Sequence, residues 1–286
     1  MTLKRSLPWP LAILLLVFAL RAPAAELFYL GQKIPDIQHP WASGEYHQLI
    51  VALQQIDTTQ VNALPRRSGE FTGPIYTRMV SEENFKPQLN IYAPLELRQN
   101  EAREVLFQLK ELMRLYFDFK APQQPYGAEA LGLMTYSLRQ QAILFTLTVE
   151  FWMTLSEKEQ GSPIRLQGLL ETKAAAAMLT SSALDYLGLT RQFNREDLVL
   201  YSAELAKQLP ELFVHLQGDV RGQLLARVAD LADKHPYGEV RGNMADLLPV
   251  LAAIQQDVDA QLAKPVKARP ATPALDLSAP PAASPQ

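Results

Sequence analysis

Apolar side chains recur at three- and four-residue steps along most of this chain, and that spacing commits it to helices packed on helices. Tyr46, Leu49, Ile50, Leu53 and Ile56 make a first stripe, starting a helix near Ser43. Ala102, Val105, Leu109, Leu112, Tyr116 and Phe119 make the next. The stretch 127–155 carries Leu131, Met134, Leu138, Ala142, Phe145, Val149 and Trp152 on one face, and Ile143, Leu144, Leu147 and Phe151 on the other. A helix apolar on both sides belongs in the middle of a bundle. A further helix spans 164–187, where Ala174 to Ala177 offer a flat surface for close helix approach. Leu198, Leu205, Leu209, Leu212 and Leu216, then Val220, Leu224, Val228 and Leu231, then Met244, Leu247, Leu251, Ile254 and Val258 complete the series. Pro210 and Pro249 predict bends in two of these helices.

The expected fold class is therefore all-α, a multi-helix bundle or layered helical array of roughly six to eight helices. With no cysteine in 286 residues, stability rests on packing, and thiolate chemistry and Cys-ligated metals are excluded.

The first 24 residues read as a secretory signal peptide. Lys4 and Arg5 precede an unbroken apolar run from Leu11 to Leu20, and Ala22-Pro23-Ala24 supplies small residues for a cleavage after Ala24. The run is too short for a membrane-spanning helix, which needs about 20 residues. This predicts a periplasmic or secreted mature chain. Residues 25–41 read as an N-terminal arm that docks through Leu27, Phe28, Tyr29 and Leu30, and 42–263 as the helical domain. The tail 264–286 is rich in Pro and Ala and has too little apolar surface to fold, so a disordered tether is expected. The formal net charge of -3 argues against nucleic acid as a partner.

Residues 65–92 interrupt the helical pattern. Pro65, Gly69, Gly73, Pro74 and Pro87 punctuate a long irregular segment in which Ile75 to Val80 and Leu89 to Tyr92 are β-like. Aromatics and arginines alternate there, and these side chains most often dominate interface energy. Arg66, Arg67, Phe71, Tyr76, Arg78 and Phe85 are accordingly the candidate partner-binding residues. The competing reading is that the aromatics cap the open end of the bundle.

Two turns resemble each other. Pro125-Tyr126-Gly127 leads to Glu129, Gly132 and Met134, and Pro236-Tyr237-Gly238 leads to Glu239, Gly242 and Met244. Either the chain carries two equivalent Tyr/Glu sites, or two helices start with the same chemistry, a Pro/Gly turn and then an acid favoured by the helix dipole. Gly127 to Met134 also partly resembles the G-A-x-G-L-M segment of lytic transglycosylases, which are helical, exported enzymes acting on peptidoglycan. That family needs a Glu-Ser pair upstream. Here Glu104, Glu111 and Asp118 are followed by Val105, Leu112 and Phe119, so no catalytic role carries over.

Glu150, beside Phe151 and Trp152, is expected to face solvent or pair with an arginine. His39, His47, His215 and His235 form no metal-ligand spacing and read as turn or surface residues. No cofactor or metal is expected. The function expected is an exported, non-enzymatic helical protein that binds another envelope protein, as an immunity-type inhibitor, adaptor or assembly factor. The alternatives are a helical cell-wall hydrolase or transglycosylase, or a carrier of an apolar ligand.

Overall fold

The computed structural model describes residues 27–35, 39–56, 64–117 and 125–263. The signal-peptide and tail assignments, and the stripe residue Phe119, lie outside the described residues. Among the described residues the chain is all-α apart from one small hairpin. In order come β1 (Leu27–Tyr29), β2 (Gln32–Ile34), α1 (Ser43–Gln54), α2 (Gly73–Met79), a 3-10 turn (Glu82–Phe85), α3 (Lys86–Leu89) and α4 (Leu95–Phe117). They are followed by α5 (Gly127–Thr154), α6 (Glu157–Gln160), α7 (Pro163–Leu187), α8 (Arg195–Phe213), α9 (Gly218–Lys234) and α10 (Gly238–Leu262).

The helix apolar on both faces takes the centre. α5 packs against α4, α7 and α8. α1 covers α4, α10 covers α8, and α9 pairs with α10 to close the far side. One core runs from Ile34 to Leu251 through all these layers. Ala102, Leu106, Leu144 and Leu147 form a smaller cluster between α4 and α5. Pro210 and Pro249 each lie inside a helix that continues across them.

The arm is an antiparallel hairpin pairing Leu27 with Ile34 and Tyr29 with Gln32. Its two-residue turn holds Leu30 at φ 51° and Gly31 at φ 76°. Positive φ at both positions gives the twist a tight hairpin needs, and glycine takes it without a steric penalty. Docking runs through Ile34, which is buried, and Tyr29, which is partly buried against the core. Phe28 and Leu30 remain exposed.

The 65–92 segment is a succession of tight turns and short helices, and the β-like reading of Ile75 to Val80 is corrected to α2. Pro74 sits in the first turn of α2 and Pro87 in the first turn of α3, where a missing N–H costs nothing. Ile75, Tyr76 and Met79 then face the core together. Over seven residues this pattern is too short to separate from strand alternation.

A polar network stitches this segment to the bundle. Tyr46 Oη donates to Met79 O at 2.5 Å and accepts from Asn84 Nδ2 at 3.2 Å. Asn84 Oδ1 accepts the Trp41 N–H at 2.9 Å. Phe85 stacks on Tyr136, with ring centroids 4.7 Å apart.

His235 is buried, not at the surface. Its Nδ1 accepts the Tyr237 N–H at 3.2 Å, so its Nε2 carries the proton and donates to Leu187 O at 2.8 Å. Glu150 is exposed and pairs with Arg98 at 3.5 Å.

Candidate functional site

A cleft of about 400 Å³ opens between α2, α5 and α8. Its 65–92 wall includes Arg67, Tyr76, Glu82 and Phe85, and its floor on α5 includes Gly132, Tyr136 and Arg139. Glu204 and Gln208 of α8 close it. A smaller lobe continues past Gly132 to Asp197, Leu200 and Tyr201.

The wall is held rigidly. Arg67 N–H donates to the buried Glu129 carboxylate at 2.6 Å, Arg66 N–H to Thr72 Oγ1 at 3.1 Å, and Gly73 N–H to Gly69 O at 2.7 Å. Residues 66–73 therefore form a locked turn rather than a loose loop.

Gly132 makes room for Tyr76. A methyl group at this glycine would overlap the Tyr76 hydroxyl oxygen, which donates to Glu129 O at 2.9 Å. Tyr136 Oη is likewise engaged, with Ser81 O at 3.1 Å, and burial pushes its pKa up to about 12. Both phenols thus stay neutral donors near neutral pH. Arg139 pairs with Glu82, and Glu204 with Lys207. Asp197 has its pKa raised by burial and then by the nearby Glu129 carboxylate, while Asn194 Nδ2 donates to it at 2.8 Å. The Arg67 guanidinium has no hydrogen-bond or ion-pair partner among the described residues. It offers a planar fork suited to a carboxylate or to paired carbonyls.

The six candidate residues divide. Tyr76 and Phe85 are 4% and 1% exposed, so they are core and not surface residues. The inward faces of α2 and the 3-10 turn carry them under the cleft. The Arg66 guanidinium lies over the Tyr126 ring and donates to Pro125 O at 2.8 Å. Arg78 donates to Pro35 O at 3.0 Å and so ties the arm to α2. Arg67 and Phe71 alone of the six are exposed, Phe71 at 80%. Four are thus used by the fold itself, in the manner of a cap.

Sequence reading did not place Gly132, Arg139, Asp197, Glu204 or Gln208 at this site. They are far along the chain from 65–92, and only packing of α5 and α8 brings them there. Glu129 was legible as a helix-start acid, but its burial and its bond to Arg67 were not.

The two similar turns share the helix start and little else. Gly127 and Gly238 each open a helix. Glu129 is buried, whereas Glu239 is exposed and paired with Arg195. A methyl group at Gly242 would meet nothing within 4 Å. The pair is common helix-start chemistry in two unlike environments.

Among the described residues there is no cluster of acids and histidines able to hold a metal ion. None of their helices is long and apolar enough to cross a membrane. No protein-family model, curated protein or solved structure matches this chain.

Proposed function

We propose that this chain is an exported, non-enzymatic helical protein that binds another envelope protein through the 66–73 turn and the cleft behind it. One observation carries the reading. A turn locked by Glu129, Thr72 and Gly69 presents an exposed phenylalanine, Phe71, beside an arginine without a side-chain partner. Ordering such groups in advance lowers the entropy cost of binding, and Arg and aromatic anchors carry most interface energy. The cleft mixes charged and hydroxyl groups with Val80 and Phe85, which suits a protein segment carrying both polar and apolar side chains. The amino-terminal signal pattern supports an envelope location.

The test is affinity capture from the native envelope with the tagged chain and its Arg67→Ala/Phe71→Ala variant. Both side chains are exposed, so the variant keeps the parental melting temperature. The expected result is a stoichiometric partner whose affinity falls at least about tenfold in the variant. A partner held equally well by both proteins overturns the assignment of the surface. Release of soluble fragments from purified peptidoglycan by the parental chain overturns the non-enzymatic reading.

A further inference from the structure

A second groove lies on another flank of α5. α4 and α7 both pack on α5 and leave a trough of about 290 Å³ between them. Each runs antiparallel to α5. Gln99 of α4 bonds Thr148, and Met113 accepts from Ser137. Arg165 of α7 lies over Phe151, and Gly168 to Ala175 line the trough beside Gln141. α4 and α7 are therefore parallel, with Arg103, Phe107 and Lys110 on one bank and Gly168, Glu171 and Ala175 on the other.

α7 is less covered than its sequence calls for. Its buried residues begin only at Ala176, yet the half before them carries Ile164, Leu166, Leu169 and Leu170. Ile164 and Met178, at the two ends of the trough, are 82% and 71% exposed. Phe107 is 57% exposed on the facing bank. A helix apolar on all sides is normally buried, and apolar patches left open mark contact surfaces. The charges on the banks have both signs and are uncommitted. Among the described residues Lys110 has no ion pair, and Arg103 contacts only the neutral Asn100. Glu171 accepts only from the neutral Gln167 amide, at 2.8 Å.

We propose that this trough receives α7 of a second copy of the chain, whose own trough receives α7 of the first. Charge complementarity selects that occupant. A two-fold axis along the helices sets each Glu171 against the partner's Arg103 and Lys110, so the face supplies its own counter-charges. An axis across the helices would lay α4 on α4 and α7 on α7, opposing like charges. A lipid surface would leave charges of both signs without partners. Gly168 keeps the α7 bank low, since even a methyl group there would meet nothing within 4 Å. The area sets the strength. From Ile164 to Met178 the face is about 21 Å long, and two helices make it about 20 Å wide. That is on the order of 500 Å² per copy, so a dimer buries about 1,000 Å², the lower limit for specific association. The dimer is therefore weak, with a Kd on the order of 10 μM. The inference stands apart from the Arg67–Phe71 surface, which lies on another face.

Sedimentation equilibrium of the full chain over a concentration series tests this. Two variants are compared with the parent, Glu171→Lys and Arg103→Glu/Lys110→Glu. All three side chains are exposed, so both variants keep the parental circular dichroism. Each variant alone opposes like charges and is expected to dimerise at least about tenfold more weakly. Mixed in equal amounts, the two regain a heterodimer of about parental affinity, because each copy then meets the opposite charge. Loss of fold cannot produce that rescue. Arg67→Ala/Phe71→Ala dimerises as the parent does, which separates this face from the other one. A chain that stays monomeric throughout the series, variants that dimerise undiminished, or a mixture no tighter than its components overturns the proposal. So does a monomer that coats phosphatidylethanolamine vesicles and is released by Phe107→Asp, since a lipid surface would then be the occupant. A monomer held by a different protein, and released by the same substitution, overturns it in favour of that protein.

Discussion

Gly132 and Gly242 hold matching positions in the two similar turns, and alanine is expected to have opposite effects at them. In a helix interior, Gly→Ala gains about 1 kcal/mol of propensity. At Gly242 the new methyl meets nothing within 4 Å, so that gain stands alone and the protein is stabilised. At Gly132 the methyl collides with the Tyr76 hydroxyl. Tyr76 cannot swing aside freely. It is 4% exposed, it packs edge-on against Tyr116 with centroids 6.5 Å apart, and its hydroxyl is bonded to Glu129 O. Overpacking costs about 1–3 kcal/mol, and a buried hydrogen bond pulled out of shape costs about 1 more. After the propensity gain, Gly132→Ala should destabilise by about 2 kcal/mol. For a chain of this length that lowers the melting temperature by about 4–8 °C. Tyr76→Phe supplies the internal control. Without the hydroxyl oxygen, the nearest neighbour of the new methyl is the ring carbon Cζ at 3.6 Å, an ordinary contact. Gly132→Ala should then stabilise the Tyr76→Phe background, and a double-mutant cycle should show strong coupling. Thermal and urea unfolding of the four proteins measure this. A neutral Gly132→Ala, or an equal loss in both backgrounds, refutes the steric argument.

Tyr46→Phe should cost about 1 kcal/mol in urea unfolding, because it removes the phenol's bonds to Met79 O and Asn84 from the buried network, while Asn84 Nδ2 still donates to Met79 O at 3.3 Å and to Arg78 O at 2.8 Å. Burial lowers the pKa of His215, which stacks on Phe145 with centroids 4.6 Å apart. The unfolded chain therefore binds its proton more readily, so this stability is present above a pH of about 6.5 and is lost as pH falls through the depressed folded value. Unfolding of His215→Phe from neutral pH to about pH 5 should show a flatter decline than the parent. Intact-mass analysis of the native protein should give an N-terminus at Ala25, as the Ala22-Pro23-Ala24 pattern requires.

The sequence by itself determined the helical class, the central place of α5 and the starts of α5 and α10. Apolar spacing, Pro/Gly turns and first-turn acids act within a few residues of one another, so a linear reading reaches them. Their alternation over a short stretch such as 75–80 does not discriminate, and there the reading inclined to strand where the chain forms α2. Only tertiary structure decided which arginine and aromatic side chains of 65–92 stay exposed. Tyr76 turns inward because Gly132, on another helix, leaves space for its hydroxyl. Arg78 is spent on Pro35, while Arg67 keeps a free guanidinium because its backbone alone is claimed by Glu129. Gln141 shows the same division. Its position on α5 follows from local periodicity, but its full burial without a hydrogen-bond partner follows from the packing of other helices against α5. A side chain's secondary structure is set by its neighbours along the chain, and its burial and bonding by residues brought to it from far away.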